Sequence, residues 1–283
     1  MNVLACIDQS SFAESVCDHA AWLAKELEAS VEVLHITDHL AGSISPVDHS
    51  GRLGVNQSDE LLADLIAIDE QRNRIMHQQG RLLLEAAANR VASQGVSRVT
   101  QRLGHGDLLD HIRSHASTAD IVVIGKRGET VETTSEHLGR NLERVIRLGR
   151  HPVLIASERF QPIDSYLFAF DGGKSSGAII SLLVESKLLQ KLKGTMLLVG
   201  KHGTELASHL GDAVRRLRSS HFEIDEHIVS GEPAITILET IENRNASLLV
   251  MGAYGHSRIR SRVVGSTTTE VILGCNKPVL VVH

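Results

Sequence analysis

Residues 119–125 read ADIVVIG and residues 246–252 read ASLLVMG, two runs of one pattern set 127 residues apart. Each is a short apolar stretch closed by glycine, too brief for a helix and apolar on both faces, which reads as a fully buried strand. Working outward, the correspondence continues. Leu138-Gly139, Val145-Ile146 and Pro152-Val153-Leu154-Ile155 return as Val264-Gly265, Val271-Ile272 and Pro278-Val279-Leu280-Val281, each 126 residues later. Near the two starts, LACID (residues 4–8) resembles LFAFD (residues 167–171) at an offset of 163. The chain is therefore expected to hold two copies of one domain, over residues 1–157 and 163–283, joined by a short polar stretch. The fall in offset from 163 to 127 marks a segment that the second copy lacks, and it falls within about Asp38–Ser58. That stretch is rich in Gly, Ser, Asp and His without an apolar period, and predicts a long loop.

Strands are predicted near Val3–Ile7, Val31–Ile36, Val96–Leu103, Ile121–Ile124 and Val153–Ala156 in the first copy. The second copy gives Leu167–Phe170, Met196–Val199, Phe222–Val229, Leu248–Met251 and Val279–Val282. Helical spacing links Ala13, Val16, Ala20, Leu23, Ala24 and Leu27, and Arg81–Val91 and Leu108–His115 read as further helices. Strands alternating with helices imply an α/β fold, a parallel sheet covered on both faces with right-handed crossovers.

Composition narrows the function without naming it. The 283 residues carry 34 acidic and 29 basic side chains, a formal charge of −5 that argues against a nucleic-acid partner. No apolar run approaches the ~20 residues of a membrane span, and no signal peptide is expected at the start. Three cysteines without paired spacing (Cys6, Cys17, Cys275) make a disulfide framework improbable and predict a cytoplasmic protein.

In an open parallel sheet, ligands sit at the carboxyl ends of the strands where strand order reverses. The first strand of the second copy ends at Asp171, and the fourth runs into Gly252-Ala253-Tyr254-Gly255. Nine residues later Gly265-Ser266-Thr267 enters a helix. Glycine permits close backbone approach, and a helix start offers free amides, a positive dipole end and hydroxyl donors, all suited to phosphate. His256, Arg258, Arg260 and Arg262 add positive charge to the intervening loop.

The spacing Gly252-x2-Gly255-x9-Gly265-Ser266 resembles the G-x2-G-x9-G-[S/T] nucleotide signature of the ATP-binding universal stress proteins. The tandem arrangement is similar to the two-domain members of that family. The resemblance implies two Rossmann-like domains of the adenine nucleotide alpha hydrolase type, each a five-stranded parallel sheet of order 3-2-1-4-5. It implies ATP (or AMP or ADP) with magnesium, held by Asp171, Gly252, Gly255, Gly265, Ser266 and Thr267, with Ala169 and Met251 walling the base. It also implies that the last strands of the two copies pair inside one chain. A homodimer and an unidentified protein partner are further possibilities it leaves open. Function is then stress-response regulation without dedicated catalysis. A slow ATPase, a nucleotide-free scaffold, and a binder of cyclic AMP or a lipid-like molecule stay open as alternatives.

The first copy departs from the signature. Asp8, Gly125 and Gly128 are present, but ten residues precede Gly139, and Arg140-Asn141 replaces Ser or Thr. A weakened, altered or empty site is expected there, with Arg140 either binding phosphate or filling the pocket. Capping is the plain alternative for Asp8 and Asp171, since each precedes serines and a helix. Gly172-Gly173-Lys174-Ser175 lacks the earlier glycine of a P-loop. His111 and His115 share a helical face, but no further ligand is fixed by spacing, so no metal site is expected.

Overall fold

The computed structural model describes residues 1–37, 55–114, 120–128, 138–254 and 265–283, with residues 55–63 described as backbone alone. The first copy runs β1 (Asn2–Ile7), α1 (Ala13–Leu27), β2 (Ser30–Thr37), α2 (Val55–Ser93), β3 (Val99–His105), α3 (Leu108–Ser114), β4 (Ile121–Gly125), α4 (Arg140–Leu148) and β5 (Val153–Ala156). The second runs β6 (Ser165–Ala169), α5 (Lys174–Ser186), β7 (Lys193–Val199), α6 (Glu205–Ser219), β8 (Ile224–Val229), α7 (Pro233–Asn243), β9 (Leu248–Gly252), α8 (Ser266–Gly274) and β10 (Val279–Val282).

Each copy has the strand order 3-2-1-4-5, and the two halves join into one ten-stranded sheet, β3-β2-β1-β4-β5-β10-β9-β6-β7-β8. All pairings within a copy are parallel. The seam alone is antiparallel, with Val279 opposite Ile155, Leu280 opposite Leu154 and Val281 opposite Val153. Strands that run opposite ways across the seam place the carboxyl ends of β1 and β4 on one rim and those of β6 and β9 on the other.

The central strands bury both faces because their apolar runs are unbroken: β4, β5, β9 and β10 are interior over nearly their full lengths. Side chains alternate between two cores, one on each side of the sheet, and both cores continue across the seam. Among the described residues no helix is long and apolar enough to cross a membrane.

Several boundaries differ from expectation: β7 begins at Lys193 rather than Met196 and β8 at Ile224 rather than Phe222, and two further differences have a physical reason. β3 spans 99–105 rather than 96–103, because Val96 packs into the core from the preceding turn while the strand itself is a polar edge. The segment expected as a loop to Ser58 is already helical from Val55, and α2 is 39 residues long. Residues 38–54 of that expected loop lie outside the described residues.

Burial also fixes two responses of stability. Tyr166, 1 % exposed, finds no hydrogen-bond partner for its hydroxyl among the described residues. Burial pushes its phenol up from the ordinary range. An unsatisfied buried hydroxyl costs about 1–3 kcal/mol, so Tyr166→Phe is expected to stabilise the chain by about 1 kcal/mol in urea unfolding. A destabilised variant would mean that the hydroxyl has a partner.

His19 is fully buried; its Nδ1–H donates to the Ser15 carbonyl at 2.7 Å and its ring meets Phe160 edge-on. Burial holds the imidazoles of His19, His151 and His283 below their ordinary value. The unfolded chain therefore binds more protons than the folded one below about pH 6.5, and stability falls as pH drops through that window. For His19 the slope reaches at most ~1.36 kcal/mol per pH unit. Urea midpoints compared near pH 7.5 and pH 5.5 test this: wild type should lose stability at the lower pH, and His19→Leu should lose less.

Candidate functional site

In the second copy the rim is built where β6 and β9 lie side by side, with Ala169 in register with Met251. Beyond β6 the chain turns at Asp171 into α5. The Asp171 carboxylate accepts the Gly173 N–H at 2.8 Å and the Ser176 hydroxyl at 2.6 Å, both on Oδ1. The same serine accepts the Asp171 N–H at 3.2 Å. Asp171 thus organises the start of α5, which has no side-chain cap at Gly173.

Gly252 ends β9 directly against α5. A Cβ placed there would lie 2.7 Å from Cβ of Ser175, so only glycine lets strand and helix meet. The hydroxyl of Thr268, buried in the first turn of α8, donates to the Gly252 carbonyl at 3.3 Å. These contacts bring Asp171, Gly252 and the opening of α8 to one place. At that opening Gly265 has φ −56° and ψ 139°, and no side chain caps the helix. Its first turn holds no acidic residue, while Ser266 is exposed and Thr267 half-buried. The first amides of an uncapped helix lack partners within the helix and carry its positive dipole end. Gly255 and His256, assigned to the same site from sequence, lie outside the described residues, as do Arg258, Arg260 and Arg262.

The first copy repeats this frame with different contents. Asp8 accepts the Ser10 N–H at 3.0 Å, and a Cβ on Gly128 would lie 2.9 Å from its Oδ2. Gly139 opens α4 with φ −54° and ψ 135°, against the turn formed by residues 126–128. Phe12, which occupies the place of Ser175, presses on Gly125. The structure thus brings Asp8, Gly125, Gly128 and Gly139 together. Arg140 and Asn141 are exposed at the helix start, so Arg140 does not fill the pocket. Unlike α8, α4 carries an acid, Glu143, in its first turn.

Three features of the two rims escape a reading by periodicity. Arg144 on α4 pairs with Asp107 at the start of α3, strapping that rim of the first copy. The corresponding positions of the second copy are Glu270 and Glu232, both acidic. A histidine group lines the edge of β2 and β3: the rings of His77 and His105 meet at 4.4 Å, tilted by 59°, Thr37 bonds to His105, and the Nδ1–H of the buried His35 donates to the Ile7 carbonyl. The Nε2–H of His111 donates to the His105 carbonyl at 2.9 Å, and among the described residues no three such groups converge to hold a metal ion. His115 lies outside the described residues.

The third feature joins the copies. Lys126, next to Gly125, reaches over the seam and donates to the carbonyls of Leu273 and Cys275 at the end of α8, at 2.6 and 3.2 Å. Burial pulls its ammonium below the usual lysine range. In the opposite direction the Tyr254 hydroxyl donates to the Arg147 carbonyl near the end of α4 at 2.9 Å. Both glycine loops are therefore tied to the last helix of the other copy. Beside Lys126 a cleft of about 450 Å³ opens between the copies, lined among others by Phe12, Arg127, Arg159, Cys275 and Lys277. It lies on the rim of the first copy, away from the site expected in the second.

The three cysteines are buried and form no disulfide. Burial pushes the thiols of Cys6 and Cys17 up to about 12, which makes both poor nucleophiles.

The model of the universal stress protein family matches residues 1–157 and again 174–283. A universal stress protein of Synechocystis, Slr1230, is 36% identical over 282 residues, covering 99% of this chain and 98% of its own. YxiE of Bacillus subtilis, another universal stress protein, is 31% identical over 156 residues, 54% of this chain and 96% of the relative. Among solved structures, a universal stress protein from Archaeoglobus fulgidus superposes with a TM-score of 0.71 at 21% identity, covering 99% of this chain and 97% of that one.

Proposed function

We propose that this chain, which belongs to the universal stress protein family, is a regulatory protein that binds ATP or another adenine nucleotide in its second domain. The observation that carries the reading is the opening of α8: uncapped, free of acidic side chains, and set at Gly265 opposite the turn of Asp171. Amides and hydroxyls of Ser266 and Thr267 suit phosphate oxygens, and magnesium would accompany them. Asp171 accepts a ribose hydroxyl or an amino group, while Ala169 and Met251 wall the base. Gly252 admits the ligand near the backbone, and Gly255 and His256 belong to the loop over the phosphates. The first domain is a weaker or empty site, since Glu143 opposes an anion at α4 and the Arg144–Asp107 strap crosses the same rim.

Regulation follows from linkage. A ligand that binds only one arrangement of the loop after β9 stabilises that arrangement, by about 2.7 kcal/mol at a hundredfold excess over Kd. Tyr254 carries the change to α4 of the first domain, and an unidentified protein partner working in the cytoplasm reads it.

Calorimetric titration with ATP, ADP, AMP and cyclic AMP, with and without magnesium, tests this reading. One site per chain for ATP is expected. The absence of heat at millimolar nucleotide would leave a ligand-free scaffold, and preference for cyclic AMP would replace the assigned ligand. Phosphate release above that of a Gly265→Val control would add catalysis.

A further inference from the structure

The two ends of the seam share one frame and hold different contents. A proline precedes the antiparallel ladder on each strand, Pro152 before Val153 and Pro278 before Val279, and proline has no N–H to extend the pairing. Where the pairing stops on the second rim, three rings gather. Tyr254 lies 6.0 Å from His283, and the Nε2 atoms of His283 and His151 are shut from water. The repeat puts Arg127, Ser157 and Lys277 at the matching positions of the first rim: 127 residues before Tyr254, 126 before His283 and 126 after His151. Two cations and a small hydroxyl thus stand where the other end has rings, and there the cleft of about 450 Å³ opens.

The cleft gathers positive charge from three separate segments: Lys126 and Arg127 after β4, Arg159 after β5, and Lys277 before β10. Glu158 is the one acid among its described lining residues, in a chain whose net charge is −5. Lys126 is committed, because its bonds to the carbonyls of Leu273 and Cys275 offset the negative end of α8. Arg127, Arg159 and Lys277 take part in none of the ion pairs of the described residues. Arg127 and Lys277 are half-buried. Like charges held in a concave place repel one another and raise the local potential for an anion. The repulsion is already felt next door: burial first, and then the charge of Arg127, pull the Lys126 ammonium down. Volume sets the size of the ligand. The cleft falls within the ~300–1,000 Å³ of small-molecule sites, well beyond one inorganic ion. Phe12, Ile155 and Pro278 give it an apolar wall for a carbon body. We infer that the cleft at the first-rim end of the seam binds a small organic polyanion, a polycarboxylate or a phosphate ester, through Arg127, Arg159 and Lys277. The site is separate from the rim of β6 and β9 and does not depend on whether that rim takes a nucleotide.

Calorimetric titration of the full chain with citrate and with phosphoglycolate, at low ionic strength, tests the inference. One saturable site is expected for at least one probe, with equal affinity in wild type and in Gly265→Val; the preferred probe tells carboxylate from phosphate. Arg127→Gln combined with Lys277→Gln should weaken binding about 100-fold or more, from the charged hydrogen bonds lost, with an unchanged circular dichroism melt. Arg72→Gln combined with Arg74→Gln removes the same charge from an exposed stretch of α2 and should bind as wild type does. No saturable heat with either probe overturns the inference, as does binding that survives the cleft replacements or falls equally in both double variants. A loss confined to Gly265→Val would assign the anion to the second domain and overturn it as well.

Discussion

Gly265→Val is expected to weaken ATP binding by the second domain about 100-fold or more, while the free protein still folds with the loss of about 1 kcal/mol that replacing an N-cap glycine by valine brings. Gly265 sits at φ −56° and ψ 139°, an extended conformation open to any L-residue, so valine brings no backbone strain. What changes is access, because a branched side chain then stands at the mouth of the first turn of α8. Hydrogen bonds to a charged group contribute about 1.5–3 kcal/mol each, and losing two of them accounts for the expected factor. The choice of glycine matters. Gly252→Val would confound binding with folding, since its first added carbon already meets Ser175 at 2.7 Å. Gly139→Val is the matched control: the same backbone geometry at α4 in the first domain, and no expected loss of ATP affinity. Calorimetry on the three proteins decides the matter. Equal affinity in wild type and Gly265→Val would remove the phosphate from α8, and a loss in Gly139→Val would move it to the first domain.

The second large effect lies at the seam. Leu154 and Leu280 are register partners on β5 and β10, each 1 % exposed, in the core that runs unbroken beneath both domains. Cutting a buried leucine to alanine costs about 2–5 kcal/mol, and Leu154→Ala and Leu280→Ala should each fall in that range in urea unfolding. Directly opposed side chains of an antiparallel pair share one face, so the double variant should depart from the sum by about 0.5–3 kcal/mol. Losses that simply add would show that the two side chains do not pack together, and the seam would then be held by backbone alone.

Most of the architecture was legible because the buried strands are apolar without interruption. β4 and β9 announce themselves through ADIVVIG and ASLLVMG, and the order 3-2-1-4-5 holds in both halves. Periodicity failed where apolar residues do not face the domain. Ile68, Ile75 and Leu82 are exposed on α2, so no core-facing pattern precedes Arg81 and a shorter helix was expected. At the site, Asp171 had two readings; its bonds to Gly173 and Ser176 show it shaping the turn into α5, and contact with a ligand belongs to the proposed function. The ties from Lys126 to Leu273 and from Tyr254 to Arg147 join residues 147 and 107 positions apart. No local pattern encodes such a pair; it arises only once β5 and β10 meet.

That meeting has a geometric consequence. With the strands reversed across it, the rims on which the two domains end their first and fourth strands open in opposite directions, like the two ends of a spool. On the proposed function, a nucleotide at the rim of the second domain leaves the approach to the other rim sterically untouched. Any coupling between the rims has to cross the waist of that spool, where the grips of Tyr254 and Lys126 and the cores shared beneath two four-residue strands join the halves.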